Sequence, residues 1–422
     1  MTLNIRGFEA AFGQLLLYYI RLSIYFILEY FFINMKKQQG VISVGIRMPI
    51  VKEGDNLAKM VVDSVLDATL DDQYYVTIED PSTKNGFYNE KVNVYDLNDR
   101  DVIGITESIV ARTMGNYVTV DEIAEEIRNK YGNPNEIIVM NPIYSRNRFS
   151  MILKALARAA GSYVTIVMPE FDEVGNPSEV NQFTGVNIKK YYIDIIEKEG
   201  RFAKIIQTKS LNEYKNWYSN IDKALSIYCG LHDFAEVKEQ YAGLNNFITL
   251  ADICADKCEY GVLGSNKATE EKLKLFPNTA AGDLLVYEIQ EKIFDITGKK
   301  VEVMIYGDGC FKDPIGGIWE FADPVVSPSF TEGLIGRPNE IKIKAFADDK
   351  FSELKGHELN KAIKKEIKTK ESNLIGNMAS QGTTPRRYVD LLGSLMDLTS
   401  GSGDKGTPIV LVKNYFNNYS ND

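Results

Sequence analysis

The run "NEIIVMNPIY" at 135–144 is followed by "RNRFSMILKALARAAG" at 146–161 and by "SYVTIVMP" at 162–169. The first and third are short apolar runs bounded by turn residues, as in buried strands. The second repeats its apolar residues at helical spacing until Gly161 stops it. Strand, loop, helix and strand in that order form a βαβ unit, which calls for a small parallel sheet.

The same alternation precedes this stretch. "VISVGIRMPIVKEGDN" from Val41 reads as a strand ending in a proline turn, and "LAKMVVDSVLDATL" as a helix with Asp55 or Asn56 as its N-cap. "YYVTI", "KVNVYDL" and "DVIGITESIVART" follow. "TVDEIAEEIRNKY" is a helix opened by a capping box of Thr119 and Glu122. The loop "PEFDEVGNPSEVNQFTG" is long and polar, a length often kept for function. A helical region is expected through "SIYCGLHDFAEVKEQYAGL", and the basic run "KAIKKEIKTKE" at 361–371 has the spacing of a solvated helix face. At 422 residues, with ~150 per domain, the chain holds two or three domains of mixed α/β, or α+β, class.

A net charge of −10 excludes nucleic acid as the expected partner, because phosphates need a basic face. Anionic ligands must then be held by local devices, such as backbone N–H groups and metal ions. Two histidines leave little room for a His-rich metal centre or a Ser-His-Asp triad. Four cysteines are too few for a disulfide framework and fit a reducing, cytoplasmic setting. The apolar run at 15–34 approaches the ~20 residues of a membrane span, but Arg21 and Glu29 interrupt it. It reads as a translated upstream stretch before a start at Met35, as an added amphipathic or core helix, or as an anchor; no membrane is expected for the rest of the chain.

Three constellations can carry chemistry. In "IYGDGCFKDPIGGIWEFADP" a strand delivers Asp308 between Gly307 and Gly309, where a carboxylate could meet a metal-bound phosphate. A glycine-rich turn with an exposed Asp fits the same letters. In "LTSGSGDKGTPIVLV" the small residues before Asp404, Lys405 and Gly406 could cradle phosphate with backbone N–H groups, or form a plain flexible loop; this is no Walker A sequence. Cys229, His232, Cys254 and Cys258 have the ligand types of zinc, although Cys254 and Cys258 fall four apart on an expected helix and buried reduced thiols explain them more simply.

Taken in order, "GIRMPIVKEGDNLAKMV", "DVIGITESIVARTMGN", "GVLGSN", "IYGDGCFKDP" and "GSGDKGTPIVLV" resemble the coenzyme F420-0:L-glutamate ligases, the gamma-glutamyl ligases. The resemblance implies a ligase core with an N-terminal α/β part over 39–135 and a C-terminal part over 257–422. An inserted α/β region would cover 136–256, and residues 1–38 would form an apolar extension. It implies a homodimer that joins L-glutamate to a small carboxylate acceptor through an acyl phosphate, using GTP or ATP and Mg²⁺ or Mn²⁺. By that resemblance Met48, Pro49, Ile50 and Val51 line the nucleotide site, Arg112 faces phosphate, and Ser265 and Asn266 touch nucleotide. Gly401, Ser402, Gly403, Asp404, Lys405 and Gly406 wrap phosphates, while Asp308, Arg112 and Lys312 serve catalysis.

The chain departs from the pattern at Leu263, where the family has a metal-binding Asp, at Gly309, and at Glu107. A rearranged metal set of Asp308 with Asp313 or Glu107 follows, or one metal fewer. Arg146, Arg148, Arg386 and Arg387, with the loop 171–176, are candidates for recognising glutamate or the acceptor, against the plainer reading of surface arginines. Three alternatives stay open: a folate or other pteridine acceptor, a catalytically silent nucleotide-binding module, and a zinc-stabilised scaffold.

Overall fold

The computed structural model describes residues 40–79, 87–182, 184–208, 223–230, 234–307, 310–312, 319–321, 329–380, 386–401 and 403–420. The apolar run at 15–34 lies outside them, and among the described residues no helix is long and apolar enough to cross a membrane. The chain divides into two compact units.

The larger unit covers Ser43–Pro338 and Thr384–Lys413. Strands β1 (Ile42–Ile46), β4 (Val102–Thr106), β13 (Glu302–Tyr306), β16 (Ser329–Phe330) and β17 (Ile409–Lys413) form a mixed sheet in the order β1-β17-β4-β13-β16. At its centre β4 and β13 run parallel, from Val102 opposite Glu302 to Thr106 opposite Tyr306. Ile103, Ile105, Val303 and Ile305 project to one face and bury against Val61 and Val65 of helix α1 (Leu57–Thr69) and against Val286, Ile289 and Ile293 of a helix at Thr279–Thr297. Helix Tyr388–Thr399 packs on the opposite face. Its approach requires Gly104, since a Cβ there would stand 2.1 Å from Sδ of Met396. Asn56 is the N-cap of α1, its side chain accepting from the Lys59 N–H at 3.0 Å.

The expected βαβ unit is present. Strands β6 (Glu136–Met140) and β7 (Tyr163–Met168) run parallel across helix Arg148–Ala159. With β8 (Phe202–Gln207), β9 (Leu225–Tyr228) and β10 (Phe247–Thr249) they form an all-parallel sheet in the order β10-β9-β6-β7-β8. The chain therefore starts in the middle, adds two strands on one side, then returns to add two on the other. Residues 226–228, expected as helix, belong instead to the fully buried strand β9. A four-residue apolar run buried on both faces has no alternation to reveal it, so neighbouring helical spacing misleads. Strands β5 (Tyr117–Thr119), β11 (Ser265–Lys267) and β12 (Lys272–Leu275) make a small antiparallel sheet, and β2 (Leu70–Glu79) pairs with β3 (Phe87–Tyr95).

The smaller unit includes Asn339–Thr383 and centres on Ile341, Ile363, Ile367 and Leu374. Helix Gly356–Thr369 buries Ile363 and Ile367 and exposes Lys361, Lys365 and Lys368, as its charge spacing predicts. The sheets and helices of the larger unit bear out the mixed α+β class, while the described residues of the smaller unit form helices.

The capping box at Val120–Tyr131 is complete, with the Glu122 N–H donating to Thr119 Oγ1 at 3.1 Å and the Thr119 N–H to Glu122 Oε2 at 2.7 Å. The Lys257 ammonium, and next the Thr119 N–H, hold the Glu122 carboxyl down at about 2 from its ordinary 4.5. A depressed carboxylate stabilises the fold fully above its unfolded pKa and loses that stabilisation as pH falls through the folded value. The decline in Tm between pH 4.5 and 2 is therefore shallower in Glu122→Gln than in the parent chain. Thr119→Ala lowers stability by about 1 kcal/mol in denaturant titration.

Candidate functional site

Because β4 and β13 are parallel neighbours, both chains leave the sheet at one edge, β4 through Thr106 into helix Glu107–Thr113 and β13 through Tyr306 to Gly307. β17 is antiparallel to β4, so the loop preceding it reaches the same edge, where the Thr106 N–H donates to the Pro408 carbonyl at 3.1 Å. The segment after β1 joins it, its Met48 N–H donating to the Gly406 carbonyl at 3.3 Å. Ligand crevices form where several strand ends release loops together.

A cavity of about 560 Å³ opens there, walled by Met48, Pro49, Ile50 and Val51, by Thr106, Ser108 and Arg112, and by Gly403, Gly406 and Pro408. Its far wall is the β11–β12 hairpin, which contributes Lys267, Lys272 and Lys274. Along "KLKL" the leucines enter the core while the lysines take the other face. Lys274 Nζ donates to Ser108 Oγ, and the Lys272 ammonium lies 5.0 Å from the centroid of the Tyr117 ring. Lys267 pairs with Glu270 at the hairpin turn. Among the described residues lining the cavity there are four cationic side chains and no carboxylate.

A smaller recess shares Lys274 and is lined by Glu107, Gly264, Ser265 and Asn266. Glu107 is buried and accepts from Thr106 Oγ1 at 3.0 Å. Gly264 is required by closeness to the Phe276 ring, 2.4 Å from where a Cβ would stand.

The structure thus gathers Met48 to Val51, Arg112, Gly403 and Gly406 around one cavity and Glu107, Ser265 and Asn266 around its neighbour. The 401–408 loop closes on itself: Gly401 bridges Thr407, the Gly406 N–H donates to the Gly403 carbonyl at 3.2 Å, and Gly406 has φ +63. Asp404 and Lys405 are exposed on it. Lys312 lies on strand Cys310–Lys312, paired with Trp319–Phe321. Asp308, Gly309, Asp313, Ser402 and His232 lie outside the described residues. Among the described residues no group of three or more His, Cys, Asp or Glu side chains could hold a metal, and Glu107, one of the carboxylates expected as metal ligands, lines the smaller recess.

Sequence reasoning missed Lys267, Lys272 and Lys274. The strict alternation of "KLKL" was the available signal for Lys272 and Lys274, since it marks a strand with one buried face and one cationic face; Lys267, on the neighbouring strand, carried none. The proposed arginines do not gather at the cavity. Arg148 is buried and donates to the Leu263 carbonyl at 2.7 Å, Arg146 lies over the Tyr191 ring, and Arg387 pairs with Asp390. The loop 171–176 is organised from within: Asp172 accepts from the backbone N–H groups of Tyr144, Val174 and Asn176 and from the Asn176 amide. Cys254 and Cys258 sit in a run of turns rather than on a helix, because Cys254 and Gly261 both take positive φ.

A mixed sheet whose parallel strand ends carry a cationic cavity beside a glycine loop defines an α+β protein with a cationic cleft. The family model described as F420-0:gamma-glutamyl ligase matches residues 45–414, and the chain belongs to that family. Membership indicates a gamma-glutamyl ligase. No curated protein matches the chain. Among solved structures, the crystal structure of Mycobacterium tuberculosis shikimate dehydrogenase is similar at 12% identity over 61% of this chain and 74% of that one. Its TM-score of 0.20 is too low to carry an argument.

Cys229, Cys254 and Cys258 share one apolar core. Burial pushes the thiol of Cys229 up to about 12 and that of Cys258 up to about 11, and raises that of Cys254 as well. A thiol reagent at about pH 8 therefore leaves these three unmodified in the native protein and labels them after denaturation, as peptide mapping by mass spectrometry will read.

Proposed function

We propose that this protein joins L-glutamate to a carboxylate-bearing, F420-type acceptor by way of an acyl phosphate, at the expense of GTP or ATP. The observation that carries the reading is the cavity in which Arg112, Lys267, Lys272 and Lys274 converge without a carboxylate among its described lining residues. A chain of net charge −10 concentrates cations in this way where a polyanion is held.

The chemistry needs little covalent work from protein side chains. The γ-phosphoryl passes from the nucleotide to a carboxylate oxygen of the acceptor, and the nucleoside diphosphate leaves. The glutamate amine then attacks the acyl carbon, phosphate departs with the bonding pair, and the amine loses a proton. The first transfer is limited by charge on the phosphoryl oxygens and by in-line alignment. Arg112 offers a fork suited to phosphate oxygens, and Lys274, common to both recesses, supplies charge where donor and acceptor meet. Met48 to Val51 provide an apolar wall for the nucleoside, with the 401–408 loop over its phosphates. Mg²⁺ or Mn²⁺ would add charge neutralisation; Glu107 is one suitable ligand, with Asp308 and Asp313 as further carboxylates in the proposal. The described residues do not complete a coordination set.

Incubation with L-glutamate, GTP or ATP, a divalent ion and candidate acceptors is expected to release nucleoside diphosphate and phosphate in step with amide formation. No release with any acceptor overturns the reading. Lys274→Met lowers kcat by about 10²–10³, the loss typical of one preorganised charge at a developing oxyanion. Arg112→Met weakens nucleotide binding by roughly 10-fold or more, as removal of a charge-assisted hydrogen bond does.

A further inference from the structure

The parallel sheet places its first strand, β6, at the centre. Its neighbours β7 and β8 are reached through helices Arg148–Ala159 and Ile188–Lys198 on one face, where Leu153, Leu156, Ile188 and Tyr192 pack. β10 follows β9 through helix Phe234–Gln240 on the other face, where Val237 packs against Ile138 and Met140. The connections leaving β6 and β9 thus depart to opposite faces, the strand arrangement at whose carboxyl ends open parallel sheets generally bind ligands.

Polar groups without partners collect in the loop that leaves β6. Asn141, the first residue beyond the strand, is 1% exposed, and among the described residues neither Oδ1 nor Nδ2 has a hydrogen-bond partner. Four residues on, Ser145 is 2% exposed and its Oγ is likewise unpartnered. Buried amides and hydroxyls are nearly always paired, so two such residues in one loop call for a partner. Asn141 continues the face of Ile137 and Val139, which is also the face of Cys229 at the end of β9; the Cys229 N–H donates to the Met140 carbonyl at 2.9 Å. The buried guanidinium of Arg148 stands close enough to Cys229 to act on its thiol, and it donates to the carbonyl of Leu263, just before Ser265 and Asn266.

We infer that the carboxyl ends of β6 and β9 form a binding site for a small amino-acid zwitterion, L-glutamate in the reaction proposed above, with Asn141 and Ser145 as its polar contacts. The chemistry matches in both directions: the Ser145 hydroxyl and Asn141 Nδ2 can donate to a carboxylate near the charge of Arg148, while Asn141 Oδ1 can accept from an ammonium. The identity of the zwitterion rests on the ligase reading.

Calorimetric titration of the full chain with L-glutamate, in the presence of a non-hydrolysable nucleotide, tests it. The intact protein is expected to bind L-glutamate, and Asn141→Ala and Ser145→Ala each to weaken that binding by roughly 10-fold while nucleotide affinity is unchanged. Since the Asn141 amide has no partner to lose, the ligand-free Tm of Asn141→Ala should not fall, and Ser145→Ala serves as the second, smaller change. Absence of L-glutamate binding by the intact protein, or equal affinity in both variants, overturns the site. Turnover with an unchanged KM for L-glutamate in both variants would sink the site and leave the ligase reading standing. Glutamate binding lost in the variants of a protein that turns over no nucleotide would do the reverse.

Discussion

The parallel pairing of β4 with β13 is the constraint on which the rest depends. Five consecutive residue pairs, Val102 with Glu302 to Thr106 with Tyr306, bring segments about two hundred positions apart into one register and end both strands at the same level. A slip of one residue would turn Ile103, Ile105, Val303 and Ile305 away from their helices, so the buried face holds the register. Gly104 contributes by admitting Met396 on the other face. With the strand ends level, the segments after Thr106, Tyr306 and β1 and before Ile409 have one place to meet. The cavity is the result.

The electrostatics follow from that meeting. The chain is acidic overall, yet Lys272 and Lys274 take one side of a short strand because Leu273 and Leu275 are needed in the core on the other. Register then aligns Lys274 with Tyr117 and Lys272 with Thr119 on β5, which sets the lysines across from Arg112. Packing demand on one face of the strand thereby distributes charge on the opposite face.

The second sheet obeys a different logic. Its strands are parallel and largely buried, so they depend on helices on both faces, and its strand order reverses between β6 and β9. The arginine at the start of helix Arg148–Ala159 ties that helix to the Leu263 carbonyl. Leu263 is itself in the core of this sheet's helical layer, which gives a packing reason for an apolar residue at that position.

Much of the architecture was legible in the letters. The βαβ unit at 136–168, the capping box at Thr119, the cap at Asn56 and the solvated lysine helix all follow from spacing, because hydrogen-bonded caps and amphipathic faces are local properties. β9 was not legible, since a strand buried on both faces lacks alternation, nor were the turns around Cys254, which depend on positive φ. At the site, the resemblance to the gamma-glutamyl ligases pointed to Met48 to Val51, Arg112 and Gly401 to Gly406, whereas of the arginines nominated for carboxylates Arg148 donates to the Leu263 carbonyl, Arg146 lies over Tyr191 and Arg387 pairs with Asp390. Sequence alone therefore determined the elements whose caps and amphipathic spacing are local, and through the family resemblance part of the cleft's lining. Tertiary structure decided which strand ends coincide, which cations face the cavity and which polar groups are left buried without partners, because each depends on register between segments far apart in the chain.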